Sequence, residues 1–317
     1  KGNNMNILFS FLPKPEQQDE LVKKYPDAKF IIQKGLNEEL LKSASILVTY
    51  GEDIDAPHLK TAEQLKWIMV ASAGLEKMPL LEIAKRGIVV TNVRGIHKTP
   101  MAETILAHIL SIKKSLPLIN ENQRKGEWSK RVSPTELLGS TAIILGPGAI
   151  GGEVGRILQA FGVHTIGCNS SGKLPPFMDE IVTFDKLNEV LPKADIVISI
   201  LPSTEQTKGL ITYEHLQSMK QSAIFMNFGR GDLVKEQHLL RALEEEKIAY
   251  AVLDVFEKEP LAAEHPFWSM NNIIVSPHIS SHSSQYVIRA LQIFSSNLNA
   301  WMEQKPLENE IDLEKGY

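Results

Sequence analysis

The segment TAIILGPGAIGGEVGRILQAFGVHTIGCN, residues 141–169, decides the fold of this chain. An apolar strand at 141–146 is followed by a helix pattern and by a second strand at 164–169. The stretch GPGAIG, residues 146–151, matches G-x-G-x-x-G where the first strand passes into the helix. In that setting the glycines permit a tight turn, close approach of the backbone to a pyrophosphate, and close packing of helix on strand. We therefore predict a dinucleotide-binding βαβ unit, with a purely structural turn as the alternative. The turn residues predicted to bind the cofactor are Gly146, Gly148, Ala149, Ile150 and Gly151.

The end of the second strand lacks the carboxylate that usually binds the adenosine ribose about 20 residues after the glycines. Asn169 stands at about that place. A carboxylate would repel a 2′-phosphate, whereas amide, hydroxyl and ammonium groups can hydrogen-bond to it. We therefore predict NADP as the preferred cofactor, with a polar loop that also accepts NAD as the alternative. The residues predicted to contact this part of the cofactor are Asn169, Ser170, Ser171 and Lys173.

Composition limits the classes of protein that the chain can represent. Its 317 residues are enough for about two domains, and 43% hydrophobic with 23% charged residues is typical of a soluble globular protein. A net charge of −4 argues against nucleic acid as a partner. The single cysteine, Cys168, excludes an internal disulfide and a cysteine-based zinc cluster, and we predict no metal. Without a transmembrane-length apolar run or the apolar core of a signal peptide, we predict no membrane association and a cytoplasmic location.

Apolar strand patterns alternate with helical patterns along most of the chain, which predicts an α/β protein with parallel sheets. Residues 99–128 read as a long helix between two such series, kinked or divided by Pro117. Residues 280–304 read as a terminal helix. We expect this helix to pack on the first domain, which makes that domain discontinuous.

The predicted organisation is therefore two Rossmann-like domains. Residues 5–99 plus 282–317 form a flavodoxin-like substrate domain that the C-terminal helix completes. Residues 100–281 form the dinucleotide-binding Rossmann domain, with hinges near Thr99 and Ser281 and a cleft between the domains.

Three polar motifs follow strands in the last third of the chain. FMNFGRGDLV places Arg230 between two glycines, LDVFEKEPL carries Asp254 and Glu259, and VSPHISSHS carries His278. The carboxyl ends of parallel strands meet at one edge of the sheet, so these residues should surround one site. A guanidinium can bind the carboxylate and ketone of a 2-keto acid, an imidazole can protonate the developing alkoxide, and a carboxylate can orient the imidazole. Singly, each residue has a plain structural alternative. Their shared position favours hydride transfer to a 2-keto acid.

Together with LGPGAIG and ILPSTEQTKGLI, these motifs resemble the D-isomer-specific 2-hydroxyacid dehydrogenase family, in its order and over nearly the whole chain. The resemblance implies that Arg230 binds substrate, that Glu259 is the partner of His278, and that His278 is the acid/base. It also implies that Asp254 contacts the nicotinamide carboxamide.

The resemblance extends to other segments. VASAGLEKM, residues 70–78, resembles the substrate loop, in which the N–H groups of Ala73, Gly74 and Leu75 would hold the substrate carboxylate. PMAETILAHIL resembles the bridging helix and would place Met101 near the nicotinamide, with a core methionine as the alternative. His97 and Lys98 are expected at the surface. Leu201, Pro202 and Thr207 would lie along the cofactor.

The resemblance implies an NAD(P)-dependent oxidoreductase that acts on the CH–OH group of its donor. It would reversibly reduce a small 2-keto acid, such as glyoxylate or hydroxypyruvate, to a D-2-hydroxy acid, and work as a homodimer. NAD-preferring members carry Asp where this chain has Asn169, which points to the glyoxylate/hydroxypyruvate reductase-like branch. Two alternatives stay open: phosphoglycerate dehydrogenase activity, disfavoured by the lack of room for a C-terminal regulatory domain, and a nicotinamide-sensing binding protein like the C-terminal-binding-protein corepressors.

Overall fold

The computed structural model of the protein describes residues 5–72, 74–75 and 77–313. The chain divides into two compact units. One is formed by the chain up to Ile96 together with the chain from Ser283, and the other by His97–His282. The predicted domain limits, and the assignment of substrate and cofactor to separate domains, stay predictions.

The first unit is built on a five-stranded parallel sheet with the order β2-β1-β3-β4-β5, which is the flavodoxin-like order. The strands Ile46–Thr49 and Trp67–Val70, which are not at the edges of this sheet, are buried along their whole length because a parallel sheet is covered on both faces. The strands are β1 (Met5–Phe9), β2 (Ala28–Ile32), β3 (Ile46–Thr49), β4 (Trp67–Val70) and β5 (Val89–Asn92). The helices between them are α1 (Pro15–Lys24), α2 (Glu38–Ser43), α3 (Ala56–Thr61) and α4 (Leu80–Lys85).

The second unit opens with two helices in place of the predicted long one. These are α5 (Lys98–Lys113) and α6 (Leu116–Lys125). Ser115 between them has a left-handed backbone conformation, and Pro117 lies in the first turn of α6, where its missing N–H has no intrahelical partner to lose. Pro117 therefore divides the helix, as predicted. Gly126 ends α6 in the left-handed region.

A seven-stranded parallel sheet follows, with the order β12-β11-β10-β9-β6-β7-β8. Its strands are β6 (Thr141–Leu145), β7 (His164–Asn169), β8 (Glu180–Thr183), β9 (Ile196–Ser199), β10 (Ile224–Asn227), β11 (Tyr250–Leu253) and β12 (Ile273–Val275). Its helices are α7 (Ala149–Ala160), α8 (Leu187–Val190), α9 (Tyr213–Ser218) and α10 (Glu236–Glu244). The strand order reverses beside β6, which places the glycine turn at the switch point of the sheet.

The chain then returns to the first unit with α11 (Tyr286–Met302). Its Phe294 ring stacks on Trp67 of β4 with centroids 5.8 Å apart, so the C-terminal helix completes the core of this unit. The helix starts later than the predicted residue 280, because the Ser283 hydroxyl accepts a hydrogen bond from Gln285 N at 3.1 Å in a local turn. Among the described residues, no helix combines the length and the apolar composition needed to cross a membrane.

Candidate functional site

The carboxyl ends of the strands of the second unit carry most of the predicted site residues. Along this edge, the residues that follow β6, β7 and β9 lie on one side, and those that follow β10, β11 and β12 lie on the other. All of them lie along the same edge because the strands are parallel. In strand order from β12 to β7, the residues at these ends are His278, Asp254, Arg230, Leu201, Gly146 and Asn169.

The glycine turn has the backbone that a dinucleotide requires. Gly146 has φ +86° and donates its N–H to Cys168 O at 3.0 Å. A Cβ atom on Gly151 would lie 2.4 Å from Gly146 O, so the contact between α7 and β6 requires a glycine there. A Cβ atom on Gly148 would meet nothing within 4 Å, so the backbone faces open space. Because Gly148 gives α7 no side-chain cap, the first N–H groups of the helix are open to an anion. The turn therefore fits a cofactor pyrophosphate.

Asn169 folds the loop after β7 onto itself. Its Oδ1 atom accepts a hydrogen bond from Gly172 N at 2.7 Å, and its Nδ2 atom donates to Lys173 O at 3.1 Å. Ser171 Oγ accepts from Lys173 N at 3.2 Å. Ser170 and the Lys173 side chain are exposed. Asn169 and Ser171 therefore shape the loop, while the Ser170 hydroxyl and the Lys173 ammonium group are presented outward.

The glycines beside Arg230 lock three loops together. A Cβ atom on Gly229 would lie 2.4 Å from Leu201 O, in the loop after β9. A Cβ atom on Gly231 would lie 1.9 Å from Phe256 O, in the loop after β11. Arg230 Nη1 donates to Gly229 O at 3.0 Å. The arginine is thus held on a backbone turn whose position its two neighbours fix.

Asn227, which was not among the predicted site residues, supports the same turn. Its Oδ1 atom accepts from Gly229 N at 3.1 Å, and its Nδ2 atom donates to Arg230 O at 2.9 Å. The only signal in the sequence is a short polar residue at the end of an apolar strand, where such side chains commonly bond to the backbone.

His278 and Glu259 form a direct pair. His278 Nδ1 lies 2.8 Å from Glu259 Oε2, and the two side chains are 49% and 36% exposed. Glu259 Oε1 accepts from Phe256 N at 3.1 Å, which fixes the carboxylate. Because Nδ1 faces Glu259, Nε2 is the ring nitrogen left for a substrate. The structure therefore brings together the predicted acid/base and its partner.

Asp254 is almost fully buried and binds the turn that carries His278. Its Oδ1 atom accepts from Ser276 Oγ at 2.7 Å and from Ile279 N at 3.0 Å, and its Oδ2 atom accepts from Ser280 N at 3.2 Å. These donors lie on both sides of His278 in the chain. Ser276 was not among the predicted site residues, and nothing in the sequence distinguishes it from other serines.

Other predicted cofactor contacts stay predictions. Thr207 is buried, and its hydroxyl donates to Pro202 O at 2.6 Å while accepting from Thr204 N at 2.8 Å, so this group holds its own loop. Met101 is buried in an apolar cluster of the second unit, together with Ile105 and Met226. The predicted surface position of His97 is wrong: it is 7% exposed, and this burial lowers its pKa. Lys98 beside it is exposed.

The predicted substrate loop follows β4 in the first unit. Ala73 lies outside the described residues, Gly74 is half-buried and Leu75 is buried. The start of the loop is anchored, because the Tyr286 hydroxyl donates to Ala71 O at 2.9 Å and Ser72 Oγ donates to Tyr50 O at 2.8 Å. The carboxylate-binding role of this loop stays a prediction.

Comparison with known proteins identifies the family. Residues 106–280 match the model described as D-isomer specific 2-hydroxyacid dehydrogenase, NAD binding domain. A glyoxylate reductase of Thermofilum pendens is 33% identical over 277 residues, which cover 83% of this chain and 80% of that protein. A crystal structure of a D-isomer specific 2-hydroxyacid dehydrogenase family protein from Aeromonas salmonicida superposes with a TM-score of 0.88 at 32% identity, covering 98% of this chain and 100% of the other. The chain therefore belongs to the D-isomer-specific 2-hydroxyacid dehydrogenase family, as predicted.

This family consists of oxidoreductases that act on CH–OH donors with a nicotinamide dinucleotide. A D-3-phosphoglycerate dehydrogenase of Archaeoglobus fulgidus is also similar, with 29% identity over 282 residues and 88% of this chain covered. The match covers 53% of that relative, so the chain spans about half the length of this longer protein.

Proposed function

We propose that this protein reduces a small 2-keto acid, of the size of glyoxylate or hydroxypyruvate, to a D-2-hydroxy acid with NADPH as the preferred donor. The observation that carries the proposal is the His278–Glu259 pair at 2.8 Å, on the same sheet edge as Arg230 and the glycine turn. Similarity to glyoxylate reductases supports the size of the substrate.

In the proposed mechanism, Arg230 binds the carboxylate and the carbonyl oxygen of the keto acid through the paired N–H groups of its guanidinium. The nicotinamide, when bound, supplies the hydride. His278 donates the proton from Nε2 to the carbonyl oxygen as negative charge develops there. Glu259 keeps the ring in place through Nδ1 and balances the charge of the protonated imidazole.

Replacing His278 by Ala tests this assignment. We expect kcat to fall by roughly 10² to 10⁴, the usual contribution of general acid–base catalysis, with the Kd for NADPH retained. His282→Ala is the matched control, because this exposed histidine lies in the same loop without the Glu259 contact. Near-normal turnover by His278→Ala would remove the residue from the mechanism.

A panel of 2-keto acids, assayed with NADPH and NADH at equal concentration, tests the substrate. The panel includes 3-phosphohydroxypyruvate, because the similarity to a phosphoglycerate dehydrogenase makes that activity the second candidate. We expect glyoxylate and hydroxypyruvate to give the highest kcat/KM. Tight cofactor binding with no turnover on the panel would instead favour a nicotinamide-sensing binding protein.

The NADPH preference is proposed from the loop after β7. Both polar atoms of the Asn169 side chain are hydrogen-bonded within the loop. A 2′-phosphate would therefore bind to Ser170, Lys173 and the backbone. Lys173→Gln should weaken NADPH binding by about 1 kcal/mol, roughly fivefold, and leave NADH binding unchanged. Lys193→Gln is the control, because Lys193 is exposed and lies just before β9, at the opposite edge of the sheet from the loop after β7. A parent protein that prefers NADH would contradict the phosphate argument.

We also propose a homodimer formed through the second unit. Helix α6 contains no buried residue, and Trp128 just beyond it is 95% exposed. Leu118 and Ile119 of α6, and Leu138 ahead of β6, are further exposed apolar residues of the second unit. Apolar surface of this kind marks an interaction site, and the family resemblance makes a second copy the partner we propose.

A further inference from the structure

We propose that Asp254 is a positioning residue, whose buried carboxylate holds the backbone turn at residues 276–280 and thereby places the His278 imidazole. This inference rests on the proposed role of His278 as proton donor.

The carboxylate lies inside the turn. Its three donors are Ser276 Oγ, which precedes His278, and the N–H groups of Ile279 and Ser280, which follow it. The distances are 2.7, 3.0 and 3.2 Å. Asp254 itself is fixed, because its own N–H donates to Asn227 O at 3.1 Å on the neighbouring strand end. The start of the turn is tied to the sheet edge by the Ser276 N–H, which donates to Leu253 O at 2.9 Å, and the part of the turn that follows His278 is tied to it by the Asp254 side chain.

The turn needs this support. His278 has φ +55°, a left-handed conformation that is unfavourable for a residue with a Cβ atom and persists only where the surroundings hold it. A buried carboxylate, in turn, is costly unless donors replace its water. The turn and the carboxylate therefore stabilise each other. The left-handed conformation of His278 directs the consecutive N–H groups of Ile279 and Ser280 toward one anion, as in other anion-binding backbone turns.

Two carboxylates thus act together to position His278. Glu259 holds the ring at Nδ1, and Asp254 holds the backbone on which the ring stands. The Thr104 hydroxyl also donates to Ser280 O in the turn, but this contact is long at 3.4 Å and involves no charge. The resemblance implies that Asp254 contacts the nicotinamide carboxamide. That contact would use a further lone pair of the carboxylate, in addition to the three that accept from Ser276, Ile279 and Ser280.

Asp254→Asn tests the proposal in the full chain. The amide has the shape of the carboxylate, but its Nδ2 group would face a backbone N–H and cannot accept from it. By hydrogen exchange with mass spectrometry, we expect the amides of Ile279 and Ser280 to exchange at least about 10-fold faster than in the parent. We expect kcat to fall by roughly 10²-fold, with the Kd for NADPH and the KM for the keto acid within about threefold of the parent, because a mispositioned acid affects turnover rather than binding.

Two further variants serve as a control and as a second test. Thr104→Val removes the long neutral contact to the same turn and should leave exchange and turnover as in the parent. Ser276→Ala removes one of three donors and should give a smaller rise in exchange and a loss of kcat of roughly 3- to 10-fold. If Asp254→Asn does not fold, as a thermal melt would reveal, Ser276→Ala carries the test.

Parent-like exchange at Ile279 and Ser280 in Asp254→Asn would overturn the proposal. So would a large rise in the Kd for NADPH with unchanged exchange, which would assign the residue to the cofactor. Faster exchange with normal turnover in both Asp254→Asn and His278→Ala would support the turn assignment and contradict the proposed function.

Discussion

Cys168 shows how burial controls chemistry at a single residue. Its thiol is buried in another apolar cluster of the second unit, together with Phe225 and Leu253, one residue before the Asn169 loop. Burial, with a smaller contribution from the charge of Asp185, raises its pKa to about 12. Because the thiolate is the reactive species, we expect iodoacetamide at pH 8 to label the native protein at least about 100-fold more slowly than the unfolded chain. A mass-spectrometric time course measures this, and rapid native labelling would show that the thiol is accessible.

Glu259 is the second residue whose chemistry can be isolated. In Glu259→Gln, the side-chain oxygen can still accept from Phe256 N, but the charge beside His278 is lost. We expect kcat to fall by about 10²-fold with the Kd for NADPH retained, because the protonated imidazole loses its counter-charge. Steady-state assays at saturating keto acid check this. Glu257→Gln, two residues earlier and exposed, should behave as the parent does.

At the scale of elements, the hydrophobic pattern predicts the buried strands because they are almost continuous apolar runs. The hydrophobic pattern does not predict the edge strand β8, because this strand is short, begins with the exposed Glu180 and lies at the end of the sheet beside β7. The break between α5 and α6 was predictable from Pro117, whereas the left-handed Ser115 was not, since it is set by how the two helices meet. The hydrophobic pattern of the sequence thus predicts fully buried elements. It does not predict elements whose position depends on strand pairing or on the conformation of a turn.

Helix α5 carries a pH dependence. Burial lowers the pKa of His97 at its start and of His108 within it, the latter opposed by the charge of Asp254. The unfolded chain, with a histidine pKa of about 6.5, then binds more protons than the folded one below that pH. The free energy of unfolding should therefore be highest above about pH 6.5 and fall toward lower pH, by at most about 1.4 kcal/mol per pH unit for each histidine.

Urea unfolding of the parent and of a His97→Gln, His108→Gln variant at pH 7.5 and 5.5 measures this dependence. The variant should lose less stability between the two pH values than the parent. His282→Gln, which alters an exposed histidine, should keep the parental dependence. Equal losses in all three proteins would assign the acid sensitivity to other groups, such as His215, whose pKa burial also lowers, or to carboxylates.

At the scale of the whole molecule, parallel topology explains why so much of the candidate site was predictable. Arg230, Glu259 and His278 follow strand ends, and any parallel sheet brings those ends to one edge. The loop-shaping role of Asn169 and the turn-holding role of Asp254 were not predictable, because each depends on hydrogen bonds within a particular backbone turn. Residue type and strand order are therefore sufficient to locate this site, and turn geometry is needed to assign its supporting residues.

The proposed dimer is tested on the exposed surface beyond α6. A buried tryptophan at the centre of an interface commonly contributes about 2 kcal/mol or more, roughly a 30-fold change in Kd. Light scattering after size-exclusion chromatography, over a dilution series, should give the mass of two chains for the parent and earlier dissociation for Trp128→Ser. Trp268→Ser is the control, because this tryptophan is 53% exposed and lies on a different loop of the second unit. A parent that is monomeric at every concentration, or equal dissociation of both variants, would contradict the proposal, because Trp128 would then not lie in an interface between two copies.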